Sequence, residues 1–463
     1  MTQFLDLPPE ILPVIFDNIL KPHHITSICL VSKTFYEFSI RRLYERASIY
    51  SWQRDGKTKV IQLFNTLSRH PHLAKYVHRL EIREFPKAFT TSGHDIIDVV
   101  LEGIHNCLNL QACTWTRDGS LSSSILGALQ KCNSLRDLEI NGHSDGNYDP
   151  DLLCQFTRLA RISLIMPNSA VADRLCRWIE TTNNLQSLTL LCKASPIITD
   201  KILESLAPSL VNLRDLFLTG CPKVTHRGVW AILSTNSAGI VNLGLEGLST
   251  NFDMGFLADN CNKSSALALL RSITLTVHQQ LSLETWMSDV LKLLSSAPLE
   301  KFQIYSSGAF FESPSTDHFW FQLVRSHGQR LVRFSVHRML ISLDAINAIC
   351  VGCIVLEQLF VVVEPSSLQG LGVCLGKAHT LRSVHINYPL EADPDVVPVL
   401  AASEALAIIK LCKPTLTQFG CNARVWQVGR TIEIDHCGAL RAQSRLSPYE
   451  SPDIPESFLV VRT

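Results

Sequence analysis

The sequence predicts an α/β fold in which a long, curved stack of strand–helix units follows an all-α amino-terminal segment. An apolar triplet with the spacing φ-x-x-φ-x-φ recurs along most of the 463 residues. Segments with helical spacing separate the triplets, while residues 1–50 show helical spacing alone. A recurrence of about 28 residues is typical of repeat architectures, in which neighbouring units stack to bury one continuous core.

The amino-terminal segment, residues 1–50, predicts three helices. Pro8 or Pro9 suits the first turn of a helix, and Glu10 suits its positive end. Pro13 lies inside this helix and predicts a kink or a late helix start. Apolar residues at helical spacing then mark the first helix at Ile11, Leu12, Ile15, Phe16 and Ile19, the second at Ile25, Ile28, Cys29, Leu30 and Val31, and the third at Phe35, Phe38, Leu43 and Tyr44.

The order of these motifs resembles the F-box, a three-helix module that docks on the Skp adaptor of SCF-type ubiquitin ligases. It runs Leu7-Pro8-x-Glu10-Ile11-Leu12, then Leu30-Val31-Ser32-Lys33-x-Phe35, then Leu43-Tyr44. The resemblance implies that the Skp adaptor, and through it the cullin/RING ligase, contacts an apolar patch of Leu7, Pro8, Ile11, Ile15, Leu30 and Val31. The alternative is that these residues only hold the three helices together.

Residues 51–75 predict a connecting helix that caps the open end of the repeats. The segment is polar around Asp55-Gly56-Lys57 and then becomes amphipathic. Its apolar positions are Val60, Ile61, Leu63, Phe64 and Leu67.

Residues 76–424 carry about 13 units, each predicted to be one short strand and one helix. The apolar and polar residues of each triplet alternate, which is typical of a strand with one buried face. Because a helix joins each strand to the next, the strands should be parallel. A helix is wider than the spacing between strands, so the stack should curve, with strands inside and helices outside.

The central units carry a more specific pattern. Leu213-x-x-Leu216-x-Leu218-x-x-Cys221-x-x-Val224-Thr225-x-x-Gly228 is similar to the cysteine-containing leucine-rich repeat, whose pattern is L-x-x-L-x-L-x-x-C-x-x-I/V-T-x-x-G. The resemblance spans residues 76–421, and the flanking units keep only the apolar spacing. It implies a leucine-rich-repeat solenoid.

Residues 425–463 predict a capping hairpin and a tail, because a terminal repeat needs a cover over its core edge. Residues 425–434 alternate like a strand, and His436-Cys437-Gly438 predicts a turn. A second strand should follow before Pro448, and Trp426 is the expected apolar anchor of the cap.

Side chains between the apolar positions of each triplet should face the concave side, opposite the helices. They are acidic in early units, such as Asp137 and Glu139, and include Lys, Arg and His in later ones. Aromatic and Arg residues dominate interface hot spots. The candidate residues for binding a protein substrate are therefore Phe217, Tyr305, Arg333, Phe360 and His385. Alternatively, Phe217 and Phe360 pack on neighbouring strands.

Composition and motifs predict no nucleic-acid partner, membrane segment, metal or cofactor. The formal net charge is zero, whereas a nucleic-acid-binding protein would be markedly basic. No apolar run reaches the roughly 18 residues of a membrane span. The first six residues lack the features of a secretory signal, so the expected location is the cytoplasm or the nucleus.

Two motifs that suggest chemistry have simpler interpretations. Cys350-x-x-Cys353 lacks a second pair at zinc-site spacing, and the fifteen cysteines of a chain without a signal are expected to be reduced and buried. The glycine-rich residues 370–377 have the wrong spacing for a phosphate loop, and Ala378 follows Lys377 where Ser or Thr is required. A linking helix or loop is the favoured interpretation of that segment.

Together the two resemblances imply a substrate-recognition subunit of an SCF-type E3 ubiquitin ligase, which is not itself an enzyme. A second hypothesis is a non-degradative protein-interaction scaffold that uses the F-box only for assembly. A third is an enzyme whose site is assembled from distant residues of the repeats.

Overall fold

The structure is a computed structural model that describes residues 8–19, 22–86, 93–182, 184–279, 282–310, 314–389, 399–434 and 440–448. The chain divides into two compact units. The first comprises residues 1–192 and 450–463, and the second comprises residues 193–449.

Three short helices open the first unit: α1 (Leu12–Asp17), α2 (Pro22–Cys29) and α3 (Lys33–Glu45). The α-helix starts late, as the position of Pro13 predicts, because a 3-10 turn precedes it over Pro9–Ile11. Ser32 begins α3, since its hydroxyl accepts a hydrogen bond from the Phe35 N–H at 3.2 Å. The buried apolar side chains of these helices are Leu12, Phe16, Ile25 and Ile40.

Six strands follow in the first unit: β1 (Arg46–Ile49), β2 (Arg79–Ile82), β3 (Ala112–Trp115), β4 (Asp137–Asn141), β5 (Arg161–Ile165) and β6 (Ser187–Leu191). Each pairs in parallel with the next. The sheet begins earlier than the triplets indicate, because β1 lies at the end of the segment predicted to be all-α.

Helices connect these strands on one side of the sheet: α4 (Gly56–Arg69), α5 (Pro71–Ala74), α6 (Gly93–Asn106), α7 (Ser123–Gln130) and α8 (Ser169–Thr181). A 3-10 helix, Pro150–Gln155, takes the place of an α-helix between β4 and β5. Helix α4 lies in the segment predicted to connect the two regions and packs on α6. It buries Val60, Phe64 and Leu67 completely.

The described residues of the second unit form ten strands: β7 (Asp215–Thr219), β8 (Asn242–Glu246), β9 (Ser272–Val277), β10 (Lys301–Phe310), β11 (Arg333–Leu340), β12 (Gln358–Val362), β13 (Ser383–Asn387), β14 (Gln418–Cys421), β15 (Arg424–Ile434) and β16 (Leu440–Pro448). Strands β7 to β14 pair in parallel, each with the next. The strand–helix repeat is thereby confirmed, since the thirteen predicted triplets coincide with β2 to β14.

Eight helices accompany these strands in the described part of the second unit: α9 (Asp200–Leu206), α10 (His226–Thr235), α11 (Met254–Ser264), α12 (Leu283–Leu294), α13 (Pro314–His327), α14 (Leu343–Gly352), α15 (Leu368–Leu375) and α16 (Ala402–Leu411). None of the described helices has the length and apolar content needed to cross a membrane.

Strand β7 shows how the triplets set the register. Leu216 and Leu218 are fully buried, whereas Asp215, Phe217 and Thr219, which alternate with them, are half-buried. Successive side chains of a strand point to opposite faces, so the leucines face the helices. We call the other face, which carries the side chains between the triplet positions, the open face of each unit's sheet.

In the segment predicted to cap the repeats, β15 pairs antiparallel with β14, and β16 pairs antiparallel with β15. The Arg430 guanidinium donates to the carbonyls of Lys413 and Leu416 at 3.2 and 3.3 Å and ties the hairpin to the last repeat. Val428 is buried in this cap, while the expected anchor Trp426 is only half-buried. The predicted turn at 436–438 and the tail after 448 lie outside the described residues.

The two motifs that suggested chemistry are both helical. Cys350 lies in α14 and Cys353 at its end, and both thiols are buried. Burial raises the pKa of Cys353 to about 12, which disfavours the thiolate that metal binding or nucleophilic attack requires. The glycine-rich segment forms α15 and its end.

Candidate protein-interaction surfaces

The three amino-terminal helices separate their apolar side chains into a buried and an exposed group. Leu12 and Phe16 are buried on one face of α1, while Ile11 and Val14 are 42 and 63% exposed. Val14 was not among the adaptor contacts that the F-box resemblance implied. The sequence did offer a signal, because Val14 does not share the i, i+4 spacing of the buried Leu12 and Phe16.

The turn after α2 adds two more exposed apolar side chains. Leu30 and Val31 are 83 and 64% exposed, and their N–H groups bond to the carbonyls of Ser27 and Ile28. Helix α2 therefore ends before both residues, and neither is needed to close the core of the three helices. We call Ile11, Val14, Leu30 and Val31 the amino-terminal apolar set.

The remaining predicted adaptor contacts differ in their surroundings. Pro8 is exposed, Ile15 is half-buried, and Leu7 lies outside the described residues. A group of exposed apolar side chains marks an interaction site more often than a single exposed side chain does.

The open face of the first unit is covered by ion pairs that cross between strands. Glu81 on β2 accepts hydrogen bonds from Nε and Nη2 of Arg46 on β1, at 2.9 and 3.2 Å, and from the Tyr50 hydroxyl at 3.0 Å. Farther along, Arg161 on β5 lies 2.9 Å from Asp137 on β4. These side chains therefore pair their charges within the sheet.

This pairing changes the expected character of the early units. Glu139 on β4, predicted to make the face acidic, lies 3.1 Å from the Arg83 guanidinium. Glu84 lies 3.4 Å from Arg117. The predicted acidic face is a mixed-charge face, because arginines just beyond the strands reach back to the carboxylates.

The open face of the second unit carries rings on four successive strands. Tyr305 on β10 stacks on His337 on β11, with centroids 4.5 Å apart and planes inclined by 13°. Phe360 on β12 follows at 6.1 Å from His337, and His385 on β13 stacks on Phe360 at 5.9 Å. We call Tyr305, His337, Phe360 and His385 the ring row.

Arg333 on β11 lies over this row. Its guanidinium carbon is 4.9 Å from the centroid of Phe360, in cation–π contact, and its Nε donates to the Ser335 hydroxyl at 3.1 Å. Its Nη2 is buried, and among the described residues it has no hydrogen-bond partner. Desolvation lowers the pKa of Arg333, but an arginine stays charged at neutral pH.

The His337 imidazole of the ring row is buried as well. It is 8% exposed, and its Nε2 has no hydrogen-bond partner in the described part of the chain. Burial lowers its pKa to about 3, and the nearby charges of Arg333, His385 and Arg338 add to the shift. The imidazole is therefore neutral at physiological pH. His337 was absent from the predicted binding residues, although it shares a strand face with Arg333, four positions earlier.

The structure brings together four of the five predicted substrate-binding residues. Tyr305 and Arg333 are half-buried, whereas Phe360 and His385 are only 4 and 3% exposed. Phe360 packs on its neighbours, as the alternative interpretation held, and supports Arg333 from below.

Phe217 lies apart from this group, on β7. Its ring covers Gly244 of the neighbouring strand so closely that a Cβ there would lie 2.6 Å from the ring. The alternative interpretation, packing on a neighbouring strand, describes the surroundings of Phe217.

One carboxylate on the open face is unusual. Glu246 at the end of β8 is half-buried, and desolvation raises its pKa to about 7, partly offset by a hydrogen bond with Thr219.

Comparison with known proteins leaves the family open. No protein-family model and no curated protein matches the chain. The chain is similar to a crystal structure of the Rad7 and Elc1 complex of yeast, with 13% identity, 86% of this chain and 94% of that chain covered, and a TM-score of 0.42. It is also similar to the leucine-rich repeat-containing protein LegL7 of Legionella pneumophila, with 14% identity, coverages of 67 and 93%, and a TM-score of 0.36. Both superpositions are loose, so the proposals below rest on the residues of this chain.

Proposed function

We propose that the chain is the substrate-recognition subunit of an SCF-type E3 ubiquitin ligase. In this role the amino-terminal helices act as an F-box on the Skp adaptor, and the sheet of leucine-rich repeats binds a protein substrate. The ubiquitin transfer belongs to the associated cullin/RING ligase, so this chain supplies no catalytic residue. It would act in the cytoplasm or the nucleus.

The observation that carries the proposal is the amino-terminal apolar set. Ile11, Leu30 and Val31 match the F-box motif and are exposed, while a different group of side chains fills the core of the same helices. Residues that only held the helices together would be buried. The cost of exposing these side chains to water is recovered if a partner covers them.

The repeated sheet supports the second half of the proposal. Repeat proteins commonly present an extended surface for binding other proteins. The open face of the second unit offers Tyr305 and Arg333, both of residue types that dominate interface hot spots. A sheet with these side chains suits the binding of a protein better than it suits catalysis.

The test is co-purification and titration of the full chain with the Skp adaptor. Leu30→Ala should weaken adaptor binding by at least about tenfold if Leu30 is a hot spot. The matched control is Leu108→Ala, which truncates a leucine that is also exposed (70%) but lies outside the three helices.

The control variant should bind the adaptor as the wild type does, and both variants should keep the wild-type melting curve because neither side chain is buried. Failure of the wild type to bind the adaptor, or equal affinities of the two variants, would refute the F-box assignment. Adaptor binding without ubiquitin transfer to any bound protein would instead favour the non-degradative scaffold.

A further inference from the structure

Arg333 and the cationic side chains near it lack the carboxylate partners with which buried or clustered cations normally form ion pairs. Lys301 is the register partner of Arg333 on β10, and Arg338 lies farther along β11. Among the described residues, neither they nor Arg333 forms a salt bridge. His337, between Arg333 and Arg338 on β11, is neutral, so the positive charge of this surface comes from Lys301, Arg333 and Arg338.

Two carboxylates that directly precede strands of this face are already engaged. Glu300, which precedes β10, pairs with Arg271, and Glu357, which precedes β12, lies 3.6 Å from Arg382. Both pairs lie at the beginning of the strands. They leave the charge over the ring row uncompensated.

Two buried nitrogen atoms point to a missing partner at this place. Nη2 of Arg333 and Nε2 of His337 are both shielded from water and have no hydrogen-bond partner in the described part of the chain. A buried polar group without a partner is destabilising, and more so when it is charged. A ligand oxygen within hydrogen-bond distance of Nη2 would satisfy the Arg333 donor.

We propose that Arg333, with His337 beside it, binds an acidic side chain of the partner protein, either a carboxylate or a phosphoryl group. The inference deepens the proposed function, since it specifies the chemistry of the protein that the repeat sheet selects. The guanidinium is a planar fork that matches both oxyanions in bidentate geometry. Phe360 below it holds that fork in place.

The ring row also specifies what lies next to the acidic group. Tyr305 is half-buried and stacked on His337, so one ring face is fixed and its edge meets solvent. A fixed aromatic surface beside a cation suits an apolar or aromatic side chain adjacent to the acid. A nucleic acid fits less well, since it would require a stripe of cations, and the chain has no net positive charge.

The experiment uses the full chain and three pools of short fluorescent peptides. The central residue is glutamate in the first pool, phosphoserine in the second and glutamine in the third, with Leu, Phe, Ala and Ser randomised on both sides. Binding is followed by fluorescence anisotropy. We expect at least one acidic pool to bind about ten- to a hundredfold more tightly than the glutamine pool. The tighter acidic pool identifies carboxylate or phosphoryl as the natural group.

Two variants with the same charge change separate a specific site from general attraction. Arg333→Gln should reduce the acidic pools to the affinity of the glutamine pool. Arg330→Gln removes an exposed arginine three positions earlier and should leave the preference for acidic peptides intact. Arg333→Lys, which keeps the charge and loses the fork, should fall between.

Three outcomes would overturn the proposal: equal affinities for acidic and glutamine pools, equal loss in Arg333→Gln and Arg330→Gln, or no binding of any pool. None of them touches the adaptor titration, which depends on Leu30 in the other unit. A failure of the acidic site is thus distinguishable from a failure of the F-box assignment.

Discussion

Charged side chains on the open faces of the two units have different kinds of partner. In the first unit Glu81 and its neighbours exchange hydrogen bonds with Arg46 and Tyr50 across adjacent strands. In the second unit Arg333 is held by an aromatic ring and a hydroxyl, with no carboxylate among the described residues. The same strand–helix repeat supports both faces, so the role of each face depends on the side chains between the triplets.

The difference has an energetic consequence. An ion pair formed on folding repays part of the cost of removing its charges from water, and breaking it leaves the remaining charge uncompensated. A cation that has no ion-pair partner in the folded chain is removed from water without this compensation. The paired face should therefore be sensitive to loss of one partner, and the unpaired face should not.

The largest effect is expected for Glu81→Ala in the first unit. The substitution leaves Arg46 and Tyr50 without their acceptor in a partly buried place, so the free energy of unfolding should fall by about 2–4 kcal/mol. Urea denaturation measures it. The control is Asp151→Ala, which breaks the exposed Arg174–Asp151 pair (2.6 Å) and should cost less than about 1 kcal/mol. Equal losses in the two variants would remove the distinction between a buried network and a surface pair.

The second prediction concerns Glu246, an unpaired carboxylate of the second unit. Its pKa is about 7 in the folded chain and close to the ordinary glutamate value of 4.5 when unfolded. The folded state therefore binds more protons between these values, and this group makes stability fall as pH rises from about 4.5 to about 7, by at most about 3 kcal/mol.

Glu246→Gln cannot ionise and should remove this contribution. The variant should be close to wild type in stability near pH 4.5 and more stable than wild type above pH 7, as measured by denaturation at a series of pH values. A difference between variant and wild type that does not change with pH would show that Glu246 titrates normally.

The third prediction concerns the packing of the ring row against β14. Gly420 on β14 lies under the His385 imidazole, and a Cβ there would overlap the ring. Gly420→Ala should therefore cost about 1–3 kcal/mol by displacing His385 from Phe360. In the double variant with His385→Ala the cost of the added methyl group should largely disappear, which a double-mutant cycle measures. Additive effects would mean that the two residues do not touch.

Much of the fold could be predicted from the sequence, because the triplets encode a local period. Leu216 and Leu218 are buried as the spacing requires, and the thirteen triplets coincide with strands. Strand β1 was missed because Arg46 to Ile49 follow α3 directly and carry only two small or branched apolar residues. Nothing in such a short alternation distinguishes it from the end of a helix.

The side-chain contacts on the open faces were harder to predict from the sequence than the fold was. Spacing placed Tyr305, Arg333 and Phe360 on one face, but not the burial of Phe360 beneath Arg333. The pairing of Arg83 with Glu139 joins residues far apart in the chain, across strands whose register a single sequence does not specify. Contacts of this kind depend on tertiary geometry rather than on local pattern.

The smallest effect, and the most direct contrast with Glu81, is expected for Arg333→Leu. No carboxylate among the described residues loses a partner, a desolvated cation is removed, and an apolar side chain remains over Phe360. Stability should stay within about 1 kcal/mol of wild type or rise, as replacement of buried charge by apolar groups can be neutral or stabilising. Urea denaturation measures it alongside Arg46→Leu, which removes both Arg46 hydrogen bonds to Glu81, leaves that from Tyr50, and should be clearly destabilising. A loss for Arg333→Leu as large as that for Arg46→Leu would make Arg333 a structural residue, and the two open faces would then be alike.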